Sequence, residues 1–529
     1  MYICKSIICG ILLIFSSVTF SVAQSVWMPD NGNGTFTNPL MWGDWPDPDV
    51  IRVGDDFYMV STSMHYVPGC PIVTSKDLVN WKMLSYAVDR YDEDARYDMN
   101  GGTLYLNGAW ASSIRYHNGK FYVAFCTPYG WGTEKGHFSI CEAETAAGPW
   151  TRTIFPEYMY DPGLFFDDDG KVYVVHGQGT LYLTELQADV KSVKGEAVKI
   201  WDTRFQDSQT VGSQFALEGA HMYKINGMYY ITCPAGGTEG WQICLRSKNI
   251  YGPYEHQLIM QDTTSYPPNG LHQGGMVQLK NGDWWFIIMQ DRGPFGRVPH
   301  LQPVIWKNGW PILGDNGKDV VTYPKPNVRK RRQTLMAPAT SDDFDENKLG
   351  LQWQWNHNPD NAKWSLIDRK GFLRLKASFA LNLTEARNTL TQRLQGPTCE
   401  GTVEIDLNGL KDGNVAGFGI FQKPHAYVAI EQNGTQRRIV MCKDSEVQEH
   451  TEGITGENIW FRIRVNDKDF TARFYYSSDG RHYHQIGGSF KMGLGYPWTG
   501  NRFALFNFSR KPIGINGYAD FNWFHFTNK

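Results

Sequence analysis

The chain has 529 residues, with 51 Lys and Arg against 54 Asp and Glu and a formal net charge of −3. One hydrophobic core rarely organises so long a chain, so two folded domains are expected. The near-balance of charge excludes the basic face that nucleic acid or an anionic membrane demands.

In chain order, residues 1–23 read as a secretory signal. Lys5 supplies the basic end, ILLIFSSVTF the apolar run, and Ser21-Val22-Ala23 a small-residue cleavage site. No other stretch is long and apolar enough to span a bilayer. Cys4 and Cys9 leave with this segment and lie on the wrong side of the apolar run for lipid attachment. Export to the periplasm or the medium is therefore expected. Seven cysteines remain, Cys70, Cys126, Cys141, Cys233, Cys244, Cys399 and Cys442. The odd count leaves one unpaired, and no spacing matches a zinc site. They read as buried free thiols, with a Cys126–Cys141 disulfide as the alternative.

Next comes NPLMWGDWPDPDV (38–50), which carries Asp44, Asp47 and Asp49 in a proline-stiffened, aromatic-flanked run. Five segments then share one design: VGDDFYMVST (53–62), HNGKFYVAFC (117–126), DDDGKVYVVHG (167–177), INGMYYITCP (225–234) and KNGDWWFIIM (280–289). Each sets a polar, Gly-containing turn before an aromatic and aliphatic strand, a hairpin signal. The turn glycines Gly54, Gly119, Gly170, Gly227 and Gly282 are spaced by 65, 51, 57 and 55 residues. A hairpin plus further strands per period makes a four-stranded blade, and five blades make a five-bladed β-propeller with few exposed edges. The catalytic-scale domain is placed at residues 24–325.

Counting back from the turn glycines, Asp47 lies seven residues before Gly54, Trp110 nine before Gly119, Asp161 nine before Gly170, Glu218 nine before Gly227 and His272 ten before Gly282. The first strand of a propeller blade is innermost, so these five should ring the axis at one depth. Singly, each has a duller explanation. Asp47 and Asp161 suit Asx turns beside proline, His272 a hydrogen-bonded core histidine, and Trp110 ordinary packing. Glu218 in FALEGAHMY is odder, because a lone acid in an apolar strand is costly unless paired or used. The shared register tips the balance towards a site. Asp49 should point away from Asp47, Asp44 reads as a turn cap, and Asp167-Asp168-Asp169 as a solvated hairpin tip. Three converging carboxylates, with no Ser or Cys in a nucleophile setting, suit acetal hydrolysis, which needs an acid and a base of divergent pKa.

The runs NPLMWGDWPDPDVIRVGDDFYMVST, YDPGLFFDDDG and LEGAHMYKINGMYY together resemble glycoside hydrolase family 43 over roughly residues 36–325. The resemblance implies a five-bladed propeller and hydrolysis with inversion. By the same likeness Asp47 is the general base, Glu218 the general acid, and Asp161 the residue that orients the acid and raises its pKa. Gly296-Arg297, nine residues before Trp306, matches the arginine that contacts the sugar. His272 matches a residue that helps hold a structural calcium, while the chemistry itself needs no cofactor. The stretch SMHYVPG departs from the aromatic pair of xylosidase-type relatives, since Met64 replaces one aromatic and His65 adds a polar group near the sugar pocket. The proline that often follows the WA pair is absent from WASS.

After a Pro-rich, basic segment taken as a linker (326–340, with Arg329 to Arg332), residues 341–529 show recurring short alternating strands. They read as an antiparallel β-sandwich and resemble the concanavalin-like domain of one branch of that family. Trp353, Trp355 and Trp364 are candidates for packing against the propeller, with glycan binding as the alternative. The expected activity is exo-acting release of α-L-arabinofuranose from plant cell-wall hemicellulose or its oligosaccharides. A β-D-xylosidase or a bifunctional enzyme is the alternative, and a non-catalytic glycan-binding propeller the reading from another class.

Overall fold

The computed structural model describes residues 26–528, except 131–134, 203–216, 236, 237, 239, 265, 267, 329–334, 494–497 and 513–515. The signal segment and the basic cluster at 329–332 lie outside the described residues. The fold is all-β, and the helical elements among the described residues are short 3-10 turns such as Ala95–Asp98.

Five four-stranded antiparallel sheets follow one another along the chain. Their innermost strands are Asp49–Val53, Ser112–His117, Gly163–Phe166, His221–Ile225 and Leu271–Gln278. Each turns back through one of the five periodic glycines, and all five adopt φ between 63° and 97°. Their missing Cβ would meet nothing within 4 Å, so backbone conformation rather than crowding calls for glycine there. A separate pair, Thr35–Thr37 with Thr322–Pro324, ties the start of the propeller to its end. Fully buried Phe36, Met59, Val73, Ile287 and Leu301 fill the seam between the first and last blades.

Asp49 is the strut at the axis. Its carboxylate accepts from the Ile114 N–H at 2.8 Å and from Arg115 Nη1 at 2.5 Å, with no side-chain exposure. A Cβ on Gly275 would lie 2.4 Å from Asp49 Oδ1. One buried acid therefore touches the first, second and fifth blades. Asp167 corrects the sequence reading of a solvated tip. It is buried, accepting from Lys224 Nζ and Tyr229 OH at 2.6 Å each, and so clamps the third blade to the fourth. Asp168 keeps the expected exposure.

The second domain packs a seven-stranded sheet on a larger sheet around one core, which includes Trp353, Trp355, Phe418, Phe461, Phe503 and Phe524. Trp353 and Trp355 thus belong to the core of the sandwich itself, with Trp364 against Trp355 at 5.1 Å. Alternation explains this, because Trp355 on the strand Gln354–Asn356 and Trp353 just before it are two residues apart and face the same side. The two domains also share backbone pairing. Tyr66–Val67, from the propeller's first blade, pairs antiparallel with Trp355 and Asn356. All seven described cysteines are free and buried, Cys126 and Cys141 included; burial pushes both of these thiols well up from the ordinary range.

Candidate active site

The five register-matched residues arrive at one place. A cavity of about 220 Å³ opens at the propeller axis, and Asp47, Trp110, Asp161, Glu218 and His272 all line it, together with Arg297 and Met64. The first four sit just before their innermost strands rather than on them, two residues ahead of Asp49, Ser112 and Gly163 and three ahead of His221. His272 lies on its strand, at a bulge. Left-handed backbone recurs at this level, with φ of 50° at Asp47, 47° at Asp161, 51° at Gly219 and 53° at Gln273. Aspartate tolerates that conformation better than most residues, and strain of this kind concentrates where side chains must be aimed.

Asp47 is held on both oxygens. Arg297 Nη1 donates to Oδ1 at 2.8 Å and Thr62 Oγ1 to Oδ2 at 2.5 Å. Arg297 is itself buried, and its Nε has no protein partner, so a donor remains for a bound hydroxyl. Glu218 Oε2 accepts from Gln178 Nε2 at 2.6 Å and from Tyr160 OH at 3.3 Å. Burial pushes the Glu218 carboxyl above the usual range, against the pull of the Gln178 hydrogen bond and with help from the charge of Asp47. Burial lifts Asp161 further, with repulsion from Glu218 and Asp47 added and relief from Arg297. Like charges in one buried cavity resist joint ionisation, so burial and repulsion together favour a proton on the Asp161–Glu218 pair. Burial likewise lowers His272, which favours its neutral form.

His65 does not reach the cavity. It is fully buried, its Nδ1 accepts from the Leu106 N–H at 3.1 Å, and its ring packs on Tyr66, Tyr105 and His357 at 4.2, 4.6 and 4.8 Å. Met64 has φ 53° and lines the cavity, while the Tyr66–Val67 pairing carries the next residue towards the sandwich. His65 is thus an interface residue, not a sugar contact. Around His272 the carboxylate at hand is Asp291, 3.4 Å from Nε2. No group of three metal-ligating side chains occurs among the described residues. Calcium takes six to eight oxygens, so one imidazole and one carboxylate beside a guanidinium do not fit it.

Sequence reasoning missed Tyr160, Gln178, Asp291 and Trp498, all of which line the cavity. Tyr160 adjoins Asp161 and was within reach of the motif. Gln178 and Trp498 carry no local signal; Trp498 belongs to the second domain and meets the propeller only through folding.

Comparison with known proteins agrees with this geometry. The model for glycosyl hydrolases family 43 matches residues 36–311, and that for the beta xylosidase C-terminal concanavalin A-like domain matches residues 341–527. A beta-xylosidase of Formosa agariphila is 33% identical over 566 residues, covering 95% of this chain and 92% of that protein. A non-reducing end alpha-L-arabinofuranosidase of Bacteroides ovatus is 35% identical over 367 residues, covering 66% of each. A solved structure of a family 43 enzyme engineered for both endo-xylanase and exo-arabinofuranosidase activity superposes with a TM-score of 0.84 at 31% identity, covering 93% of this chain and 99% of that one. The blade order, the cavity of converging carboxylates and both domain matches agree: this chain belongs to glycosyl hydrolases family 43 and is a glycosidase.

Proposed function

We propose that the protein is an exo-acting, inverting glycosidase that removes a terminal pentose from hemicellulose-type glycans, with α-L-arabinofuranose as the first candidate. The observation that carries this reading is the meeting of four carboxylates, Asp47, Asp161, Glu218 and Asp291, with one guanidinium in a single small cavity. In this mechanism Asp47, oriented by Arg297 and Thr62, takes a proton from a water that attacks the anomeric carbon. Glu218, protonated because it is buried, gives its proton to the departing oxygen. Repulsion between the buried Asp161 and Glu218 carboxyls keeps a proton on the pair, and Glu218 is the member that donates it. The surplus of carboxylates also favours the positive charge that grows on the sugar ring in the transition state. At about 220 Å³ the cavity is smaller than typical drug-sized sites of about 300 Å³ and more, so it suits one sugar unit better than a chain segment. Trp498 on one wall favours the same exo-action.

Met64, standing where an aromatic side chain would narrow the cavity, favours the arabinofuranoside. The beta-xylosidase of Formosa agariphila, which aligns along nearly the whole chain, favours β-D-xylose as the second reading. Residues 1–23 read as an export signal, and we place the activity outside the cytoplasm. The test is a pair of initial rates on p-nitrophenyl α-L-arabinofuranoside and β-D-xylopyranoside, with Asp47→Asn and Glu218→Gln as controls. Faster release of arabinose that depends on Asp47 is expected. Faster release of xylose overturns the sugar assignment, and no release of either overturns the pentosidase reading.

A further inference from the structure

Asp44 was the aspartate of the opening run with only a turn-capping role to suggest, and the structure gives it a different one. It is 3% exposed, and its carboxylate accepts three hydrogen bonds that come from two domains. Oδ1 accepts from the backbone N–H of Arg297 at 3.0 Å. Oδ2 accepts from the backbone N–H of Gly500 at 2.9 Å and from Thr499 Oγ1 at 3.1 Å. Its own carbonyl accepts from Arg393 Nε of the sandwich at 2.7 Å. On one side it fixes the residue whose guanidinium holds Asp47. On the other it fixes the two residues that follow Trp498, a wall of the cavity.

The surroundings are built to this contact. A Cβ on Gly296 would come within 2.1 Å of Asp44 Oδ1, and one on Gly500 within 2.9 Å of the Asp44 Cβ and 2.8 Å of the Phe295 oxygen. The Asn501 N–H and Nδ2 both donate to the Pro294 oxygen, at 2.8 and 3.1 Å. The sandwich loop thus lies directly on the segment that leads into Arg297. Trp498 has φ 51°, a conformation that a tryptophan keeps only where its surroundings hold it.

We propose that Asp44 is a positioning residue that sets Arg297, and through it Asp47, in register with the Trp498 wall, so that the sandwich domain is a working part of the catalytic cavity. The inference rests on the glycosidase reading of that cavity. An isosteric Asp44→Asn keeps one acceptor and turns an amide N–H₂ towards the other donors, which must then move apart.

The test is steady-state kinetics on the preferred p-nitrophenyl pentoside, with thermal melts alongside, for the full-length wild type, Asp44→Asn and Thr499→Val. Misplacement by about an ångström of a group that orients the reacting atoms costs about 10²-fold. Asp44→Asn should therefore lose about that factor in kcat/KM, mostly in kcat, while still melting cooperatively. Thr499→Val removes one donor from the Trp498 side alone; it should raise KM about fivefold, the worth of one hydrogen bond, with kcat within about twofold. A purely structural Asp44 would lower the melting temperature and leave kcat and KM unchanged for the folded fraction, and that result overturns the proposal. Should Asp44→Asn fail to fold, Thr499→Val decides, since an unchanged KM overturns it as well. Wild-type kinetics in both variants, with Asp47→Asn inactive, sinks the clamp and leaves the glycosidase standing. An intact protein that hydrolyses neither pentoside overturns both.

Discussion

Both domains bury carboxylates, and they treat them differently. In the sandwich, Asp520 is closed off by Arg374 Nε and Nη2 at 2.7 and 2.8 Å and by Arg369 at 3.1 Å, while Glu431 sits between Arg438 and Arg510 at 2.8 and 2.5 Å. In the propeller cavity, Asp47, Asp161 and Glu218 share the single guanidinium of Arg297. A buried acid matched with arginines is finished, and its neighbourhood has no further use for it. A cluster short of positive charge has raised pKa values and unmet hydrogen-bonding capacity, which is how a site keeps a proton to give. The excess of charge, rather than the burial, separates the catalytic domain from its partner.

The largest expected break comes from the acid and the base. Glu218→Gln should lower kcat by about 10²–10⁴-fold, the usual worth of proton transfer by a positioned group. The loss should be greatest on natural oligosaccharides and least on p-nitrophenyl glycosides, whose leaving group needs little protonation. Asp47→Asn should lose activity on both alike. Substrate-independent loss in Glu218→Gln would remove its role as the acid.

In the sandwich the same Asp-to-Asn change should act on stability alone. Asp520→Asn leaves two arginines short of their partner and should cost about 3 kcal/mol, the low end for a buried pair because the arginines are part-exposed. Denaturant melts measure this, and the activity of the folded fraction should be unchanged.

Asp161→Asn should go the other way. Burial raises this carboxyl in the folded state above its unfolded value, so the stability it contributes is fully present below about pH 4 and is lost as pH rises through the folded pKa. An amide cannot ionise. The variant should melt about 1–3 °C higher than wild type at pH 8 and at the same temperature near pH 3, while losing activity. An equal or lower melting point at pH 8 would show that Asp161 is paired as Asp520 is. The smallest effect is a null one: with seven buried free thiols, a reductant should move the melting temperature by less than about 1 °C.

The propeller and most of its site were legible because repetition multiplies weak signals. One Asp beside a proline says little, but five residues lying seven to ten positions before five turn glycines say where the axis is. The sandwich was legible from alternation, which marks the faces of strands without marking partners. For this reason alternation does not show that the side chains of Trp353 and Trp355 fill the sandwich core, even though the Trp355 backbone pairs with the propeller, or that His65 fills the domain boundary rather than the pocket. Asp167 looked solvated because a DDDG turn normally is, and only the neighbouring blade supplies Lys224 and Tyr229 to bury it.

The sequence by itself determined the blade count, the turn positions and the three carboxylates that converge, since each depends on spacing along the chain and on the local preferences of Gly, Pro and Asp. Tertiary structure alone decided which acids are matched by cations, because the partners lie far away in the sequence: Asp47 meets Arg297 across 250 residues and Asp44 meets Gly500 across 456. Local patterns carry no record of such distances, and the charge left unmatched in the cavity is settled only when the blades close into a ring.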